Sequence, residues 1–222
     1  MMTVAGIISI VAAGDFPVAA EPLKALSESK IVIACDSAAC ALLEHGIIPD
    51  YAVGDMDSMP PSTFSELNAN GRTKFVKIEE QDDNDLTKAF RIALTLKPAK
   101  IHILGATGKR EDHTLANVSL LADYASELER QETNASGSID MLSDYGIFLP
   151  VLGSCTVQCK KGQEISIFSF DHTLRIHSEG LQYPTDAVVF DTLWKASLNK
   201  SEGESFELTF NHPAPAIVYK AF

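Results

Sequence analysis

Two aspartates two residues apart, Asp55 and Asp57 in "VGDMDSMP", are the first residues whose type and spacing invite chemistry. The chain of 222 residues already carries a formal net charge of −12. Two more like charges at this spacing repel unless a cation lies between them, or unless they cap a helix and face water. Mg²⁺ resolves the conflict: it demands hard oxygen ligands and is commonly held by one or two carboxylates plus substrate phosphates. Its charge would also let an acidic protein accept a nucleotide.

The other charged residues repeat the placement. Asp36 follows "IVIAC", Asp55 and Asp57 follow "YAV", "QDDND" comes a few residues after "KFVKI", and Arg110 with Asp112 follow "HILGATGK". In an open α/β sheet, ligands bind in the crevice outside the carboxyl ends of the strands, so these groups are expected to converge. For any one acid alone, starting the next helix explains it at least as well. Asp15, in the turn "GDFP", is read as a turn residue, and Asp82 and Asp83 as a solvated acidic loop.

The elements that must position these groups alternate in the first two thirds of the chain, the pattern of β-α units around a mainly parallel sheet. Strands are predicted near "GIISIV", "KIVIAC", "YAV", "KFVKI", "KIHIL" and "IDMLS". Between them lie the helical segments "AEPLKALSES", "SAACALLEHG", "STFSELNAN", "NDLTKAFRIALTL" and "DHTLANVSLLADYASELER". In the fourth, Leu86, Ala89, Phe90, Ala93 and Leu94 recur at helical spacing behind Asn84, which stands where an N-cap would. From about residue 150 the pattern becomes short, often alternating runs rich in Val, Ile and Phe, which predicts a small antiparallel β domain. The expected organisation is an α/β domain over 1–150 and a β domain over 151–222.

Composition narrows the function classes. A strongly acidic surface argues against a nucleic-acid partner, which normally needs a basic patch. No apolar run reaches the roughly 18 residues of a spanning helix, and "AGIISIVAAGDF" lacks the basic residues that open a signal peptide, so a cytoplasmic protein without a membrane is the expectation. The four cysteines, Cys35, Cys40, Cys155 and Cys159, form no C-x-x-C pair and are expected to be reduced thiols. "GATGKRED" is not a P-loop, because two residues separate its glycines and Arg110 stands where the hydroxyl residue belongs. It can still turn the chain sharply and aim Arg110 at a phosphate, or be an ordinary strand-to-helix turn.

Taken in order, "GDMDS", "QDDNDLTKA" and "GATGKREDHTLANVSLL" resemble the thiamine pyrophosphokinase family, and "EHGIIPDYAVGD" and "SEGLQYP" extend the likeness over most of the chain. The resemblance implies an N-terminal Rossmann-like α/β domain and a C-terminal β-sandwich that binds thiamine and dimerises, in a homodimer with active sites between subunits. It implies that ATP and thiamine give AMP and thiamine diphosphate with Mg²⁺. Asp55, Asp57 and Asp85 match the family's metal-binding aspartates, and Asp36 an acid near the nucleotide. Gln81, Asn84, Lys88, Arg110 and Asp112 fall on positions associated with ATP or its phosphates. In the β domain, Ser197 and Asn199 fall near the family's thiamine positions. The chain departs from the family at "DSAAC", where D-G-G-A-N is frequent, and at Asn84, where many members have Thr.

The implied chemistry is in-line attack of a hydroxyl on the β-phosphorus, catalysed mostly by positioning and charge neutralisation. Asp85 and Asp112 are the candidates to accept the hydroxyl proton. Trp194, the single tryptophan, is equally placed to stack on a cationic aromatic substrate or to fill a core or an interface. His113 is read as capping or structural, and His102 as packed within a strand. The rivals are another Mg²⁺-dependent phosphoryl-transfer enzyme or phosphatase, and a catalytically silent sensor of thiamine or nucleotide.

Overall fold

The computed structural model describes residues 5–80, 82–131 and 138–222. These divide into two compact units: one runs to Asn117 and includes Leu128–Asp144, and the other takes Val118–Glu127 and Tyr145–Phe222.

In the first unit, strands β1 (Ala5–Val11), β2 (Ile31–Cys35), β3 (Tyr51–Gly54), β4 (Lys74–Lys77), β5 (Pro98–Leu104) and β6 (Ser138–Leu142) make a parallel sheet in the order β6-β5-β1-β2-β3-β4. Ile8, Ile10, Ile33, Ile101 and Ile103 are wholly buried, as expected where a parallel sheet is covered on both faces. Each such side chain contributes roughly 1.5–3 kcal/mol of burial. The helices are α1 (Ala20–Ser27), α2 (Ala38–Glu44), α3 (Pro61–Asn70), α4 (Asp85–Thr95) and α5 (Glu111–Arg130), within which the division between the units falls. From β1 the chain winds one way through β2, β3 and β4, then returns to β5 on the other side of β1. That reversal opens a crevice at the carboxyl ends of β1 and β5.

α4 shows why the segment folds locally. Oδ1 of Asn84 accepts the Thr87 N–H at 2.9 Å, Asp85 in the first turn complements the helix dipole, and Leu86, Ala89, Phe90 and Ala93 bury one face against the sheet. As expected, His102 is buried, its Nδ1 2.6 Å from Oδ1 of Asp140 on the neighbouring strand.

In the second unit, β7 (Gly146–Val151), β8 (Cys155–Gln158), β9 (Glu164–Ser169), β10 (Ile176–Glu179), β11 (Asn199–Lys200), β12 (Ser205–Phe210) and β13 (Ala216–Ala221) pair antiparallel, β11-β9-β13-β7 in one sheet and β10-β12-β8 in the other. Val157, Ile165, Ile167, Ile176, Phe206, Leu208 and Val218 form a common core between them. The boundary expected at 150 falls inside β7. "GIFLPV" groups with the second unit because it pairs along its whole length with β13, which the sequence alone does not display. All four cysteines are free thiols.

Candidate active site

The floor of the crevice is backbone. The loops after β1 and β5 are stitched together by Ala12 N–H to Leu104 O (2.8 Å), Gly14 N–H to Gly105 O (2.7 Å) and Asp15 N–H to Thr107 O (2.9 Å). Lys109 Nζ donates to Ala13 O at 2.9 Å, and Asn117 Nδ2 holds Ala106 O at 2.8 Å from the first turns of α5. The contact admits no side chain at Gly14, where a Cβ would run into the carbonyls of Thr107 and Gly105, or at Gly108, where φ is +79° and a Cβ would strike the Asp15 carboxylate. Asp15 is therefore more than a turn residue: its side chain closes against the 105–108 loop.

Around this floor lies a cavity of about 410 Å³, lined within the first unit by Asp36, Asp55, Asn84, Asp85, Lys88 and Arg110 among others. The expected convergence of strand-end groups is thus present. Asp57 joins it through Asp36 and Asp55: one carboxylate oxygen from each of the three lies within 4.8 Å of the others. Asp57 N–H donates to Asp55 Oδ1 at 3.2 Å and Ser58 Oγ to Asp57 Oδ1 at 3.0 Å, so the β3 loop fixes its own acids.

Asp36 is 4 % exposed and holds a left-handed backbone, with φ +40°. Its Oδ1 is, among the described residues, the buried side-chain oxygen or nitrogen with no hydrogen-bond partner. Burial raises its carboxyl pKa against the opposing pull of Ser58, and the charges of Asp85 and Asp55 raise it further. Burial likewise pushes the Cys35 thiol far up, with Asp85 and Asp36 adding to it, so Cys35 is an inert wall and not a nucleophile. An unpartnered buried carboxylate oxygen beside two further hard oxygen donors fits a divalent cation of the Mg²⁺ type.

The basic groups stand in two different states. Lys88 is 2 % exposed, and its ammonium reaches Asp85 Oδ1 at 3.3 Å and Ile78 O at 3.4 Å. Arg110 is exposed and clasps Asp112 through Nε at 2.9 Å and Nη2 at 2.5 Å, which holds the Asp112 carboxyl well below the usual range. Asp83, expected to be solvated, instead accepts Arg91 and lines the cavity, while Asp82 is exposed. His113 also lines the cavity. Lys109 and Asn117 sit inside the "GATGKREDHTLAN" stretch; Lys109 reaches the β1 loop, 96 residues away in sequence, while Asn117 fastens the β5 loop 11 residues before it. Gln81 lies outside the described residues.

Trp194, Ser197 and Asn199 belong to the second unit. Trp194 is 70 % exposed, and Ser197 Oγ donates to its carbonyl at 2.6 Å. Asn199 is buried with its carboxamide engaged: Nδ2 donates to Tyr183 O at 2.7 Å, and Oδ1 accepts the Tyr183 and Lys200 N–H groups at 3.1 and 2.9 Å. None of the three lines the hollow of about 620 Å³ formed in this unit by Phe170, His172, Phe190, Asp191 and Leu193 with Ser169 and Thr192.

Residues 23–132 match the family model for the catalytic domain of thiamin pyrophosphokinase, and residues 146–219 that for its substrate-binding domain. A thiamine pyrophosphokinase of Bacillus subtilis (strain 168) is 35 % identical over 114 residues, which span 51 % of this chain and about half (53 %) of that relative. Among solved structures, the fold matches Bacillus subtilis thiamine pyrophosphokinase with a TM-score of 0.77 at 23 % identity, over 97 % of this chain and 98 % of the other. It matches the Candida albicans thiamin pyrophosphokinase with a TM-score of 0.79 at 16 % identity, over 98 % and 92 %.

Proposed function

We propose that this chain, which belongs to the thiamin pyrophosphokinase family, transfers the pyrophosphoryl group of ATP to the hydroxyl of thiamine, giving thiamine diphosphate and AMP. The observation that carries the reading is the gathering of three carboxylates, a buried ammonium and a guanidinium around one cavity at the reversal of a parallel sheet.

Such a transfer asks the protein for positioning and charge compensation more than for covalent chemistry. The glycine-floored loops after β1 and β5 let backbone approach a polyphosphate closely, and Asn84 and Gln81 add polar contacts to the nucleotide. Lys88, sunk beneath the cavity, presents fixed positive charge to phosphate oxygens in a poorly hydrated setting, where it acts most strongly. Arg110 exchanges its exposed partner Asp112 for a phosphate, a bidentate acceptor of the same geometry. While clasped by Arg110, Asp112 is a poor proton acceptor. Asp55, Asp57 and Asp85 would hold Mg²⁺, which when bound neutralises phosphate charge as it redistributes. In the β unit, Trp194 offers thiamine an aromatic face and Ser197 a hydroxyl, while Asn199 braces the segment that carries them. The working form is a homodimer with active sites between subunits.

Phosphorus NMR of the purified protein with ATP, Mg²⁺ and thiamine tests the reading. Stoichiometric AMP and thiamine diphosphate are expected; ADP or inorganic phosphate as the nucleotide-dependent product would overturn it.

A further inference from the structure

We infer that Lys109 is a further nucleotide contact: its ammonium leaves the carbonyl of Ala13 and takes a phosphate oxygen of a nucleoside polyphosphate bound in the cavity of the first unit. The inference deepens the transferase reading and rests on it for the identity of the ligand.

The charges around the cavity come first. Asp36, Asp55, Asp83 and Asp85 all line it, so a polyanion needs positive charge that is free to meet it. Three lysine and arginine side chains line the same space: Lys88, Lys109 and Arg110. Two are already committed to carboxylates, Lys88 to Asp85 at 3.3 Å and Arg110 to Asp112 at 2.9 Å. Lys109 differs. Among the described residues its ammonium has no carboxylate partner, and it donates to a neutral acceptor, Ala13 O, at 2.9 Å. Ala13 is exposed, so water can take over that carbonyl, and exchanging a neutral acceptor for a charged one favours the phosphate.

The backbone comes second. Lys109 holds φ +56° directly after Gly108 at +79°. Glycine enters this left-handed region freely; lysine enters it against its own Cβ and has no short polar side chain to ease the conformation. Such strain persists where neighbours impose it and something is gained by it. Arg110 N–H is bonded to Gly108 O at 2.6 Å, and α5 begins one residue later at Glu111. Consecutive side chains of a regular helix or strand do not share a face. The left-handed bend lets two consecutive cations, Lys109 and Arg110, line one cavity.

Isothermal titration with ATP and Mg²⁺, thiamine absent, tests the contact. Lys109→Gln keeps a donor for Ala13 O and removes the charge. It should weaken ATP binding at least ~5-fold, a deficit that narrows as salt screens the wild-type interaction. Lys109→Arg, which keeps the charge, should stay within about 3-fold of wild type. Lys109→Gly relieves the left-handed strain and should weaken binding as much as Lys109→Gln while leaving the thermal midpoint unchanged or higher, a split that a purely structural latch would not produce. Wild-type ATP affinity in Lys109→Gln, an equal loss in Lys109→Arg, or a loss in Lys109→Gly that follows a fallen thermal midpoint would each overturn the inference. Lys109-dependent ATP binding by a protein that makes no thiamine diphosphate would sink the transferase reading and leave this contact standing; thiamine diphosphate formation with Lys109-independent ATP binding would do the reverse.

Discussion

Asp36 and Asn199 are both 4 % exposed, yet the two units treat them in opposite ways. Asn199 has its carboxamide matched to backbone groups of Tyr183 and Lys200, as Thr185 is matched to Ile176 O and Ser201 to Lys160 O in the same β unit. Asp36 keeps an oxygen for which the first unit provides nothing. A satisfied buried polar group specifies architecture; an unsatisfied one at a cavity specifies a ligand. The first unit places such groups on loops after parallel strands, where the ladder of hydrogen bonds has ended and side chains are free to face a guest.

The contrast is broken or sharpened by substitution. The largest expected effect is Asp57→Asn: on the order of a 10³-fold fall in turnover, with a thermal midpoint unchanged or raised by relief of like-charge repulsion. Steady-state kinetics beside calorimetry reads both. Asn199→Ala should do the opposite, costing about 1–3 kcal/mol in urea denaturation by stranding the Tyr183 backbone groups. If instead it abolished thiamine turnover at full stability, Asn199 would be a ligand contact and the contrast would fail. Gly108→Ala forces a side chain into the Asp15 carboxylate at positive φ and should cost about 1–3 kcal/mol in the first unit, with a raised KM for ATP as the loop lifts. Asn84→Ala removes the α4 cap and should cost about 1 kcal/mol.

The smallest effect is a pH dependence at the surface of the β unit. His177, hydrogen-bonded to Asp186 and Glu179, has its pKa raised above the ordinary histidine value, chiefly by the Asp186 bond. A raised folded-state pKa means that the stabilisation is complete below the unfolded-state value and is lost as pH rises through the folded-state one. Proton NMR should find the His177 ring titrating above a free histidine in the wild type and lower in Asp186→Asn.

Much of this was legible in the chain. Apolar periodicity marked the six parallel strands and the helices between them, and strand-end acids are visible once strands are drawn. What stayed hidden depends on partners far apart in sequence. Nothing near Asp36 says that its oxygen will lack a donor, and nothing near Asp85 says that Lys88 will be buried beside it. Asp15 meets Gly108 only because β1 and β5 are adjacent. β7 carries a proline, Pro150, which reads as a strand breaker. Its register against β13 places Pro150 opposite Ile217 without interrupting the pairing.

The chain holds a single indole, at Trp194, and it is mostly exposed. Intrinsic fluorescence excited in its red edge therefore comes from one address in the β unit, with no second emitter to subtract. A guest that stacks on that ring should shield it from acrylamide, so arrival of the acceptor substrate can be timed optically, separately from every event that involves phosphorus.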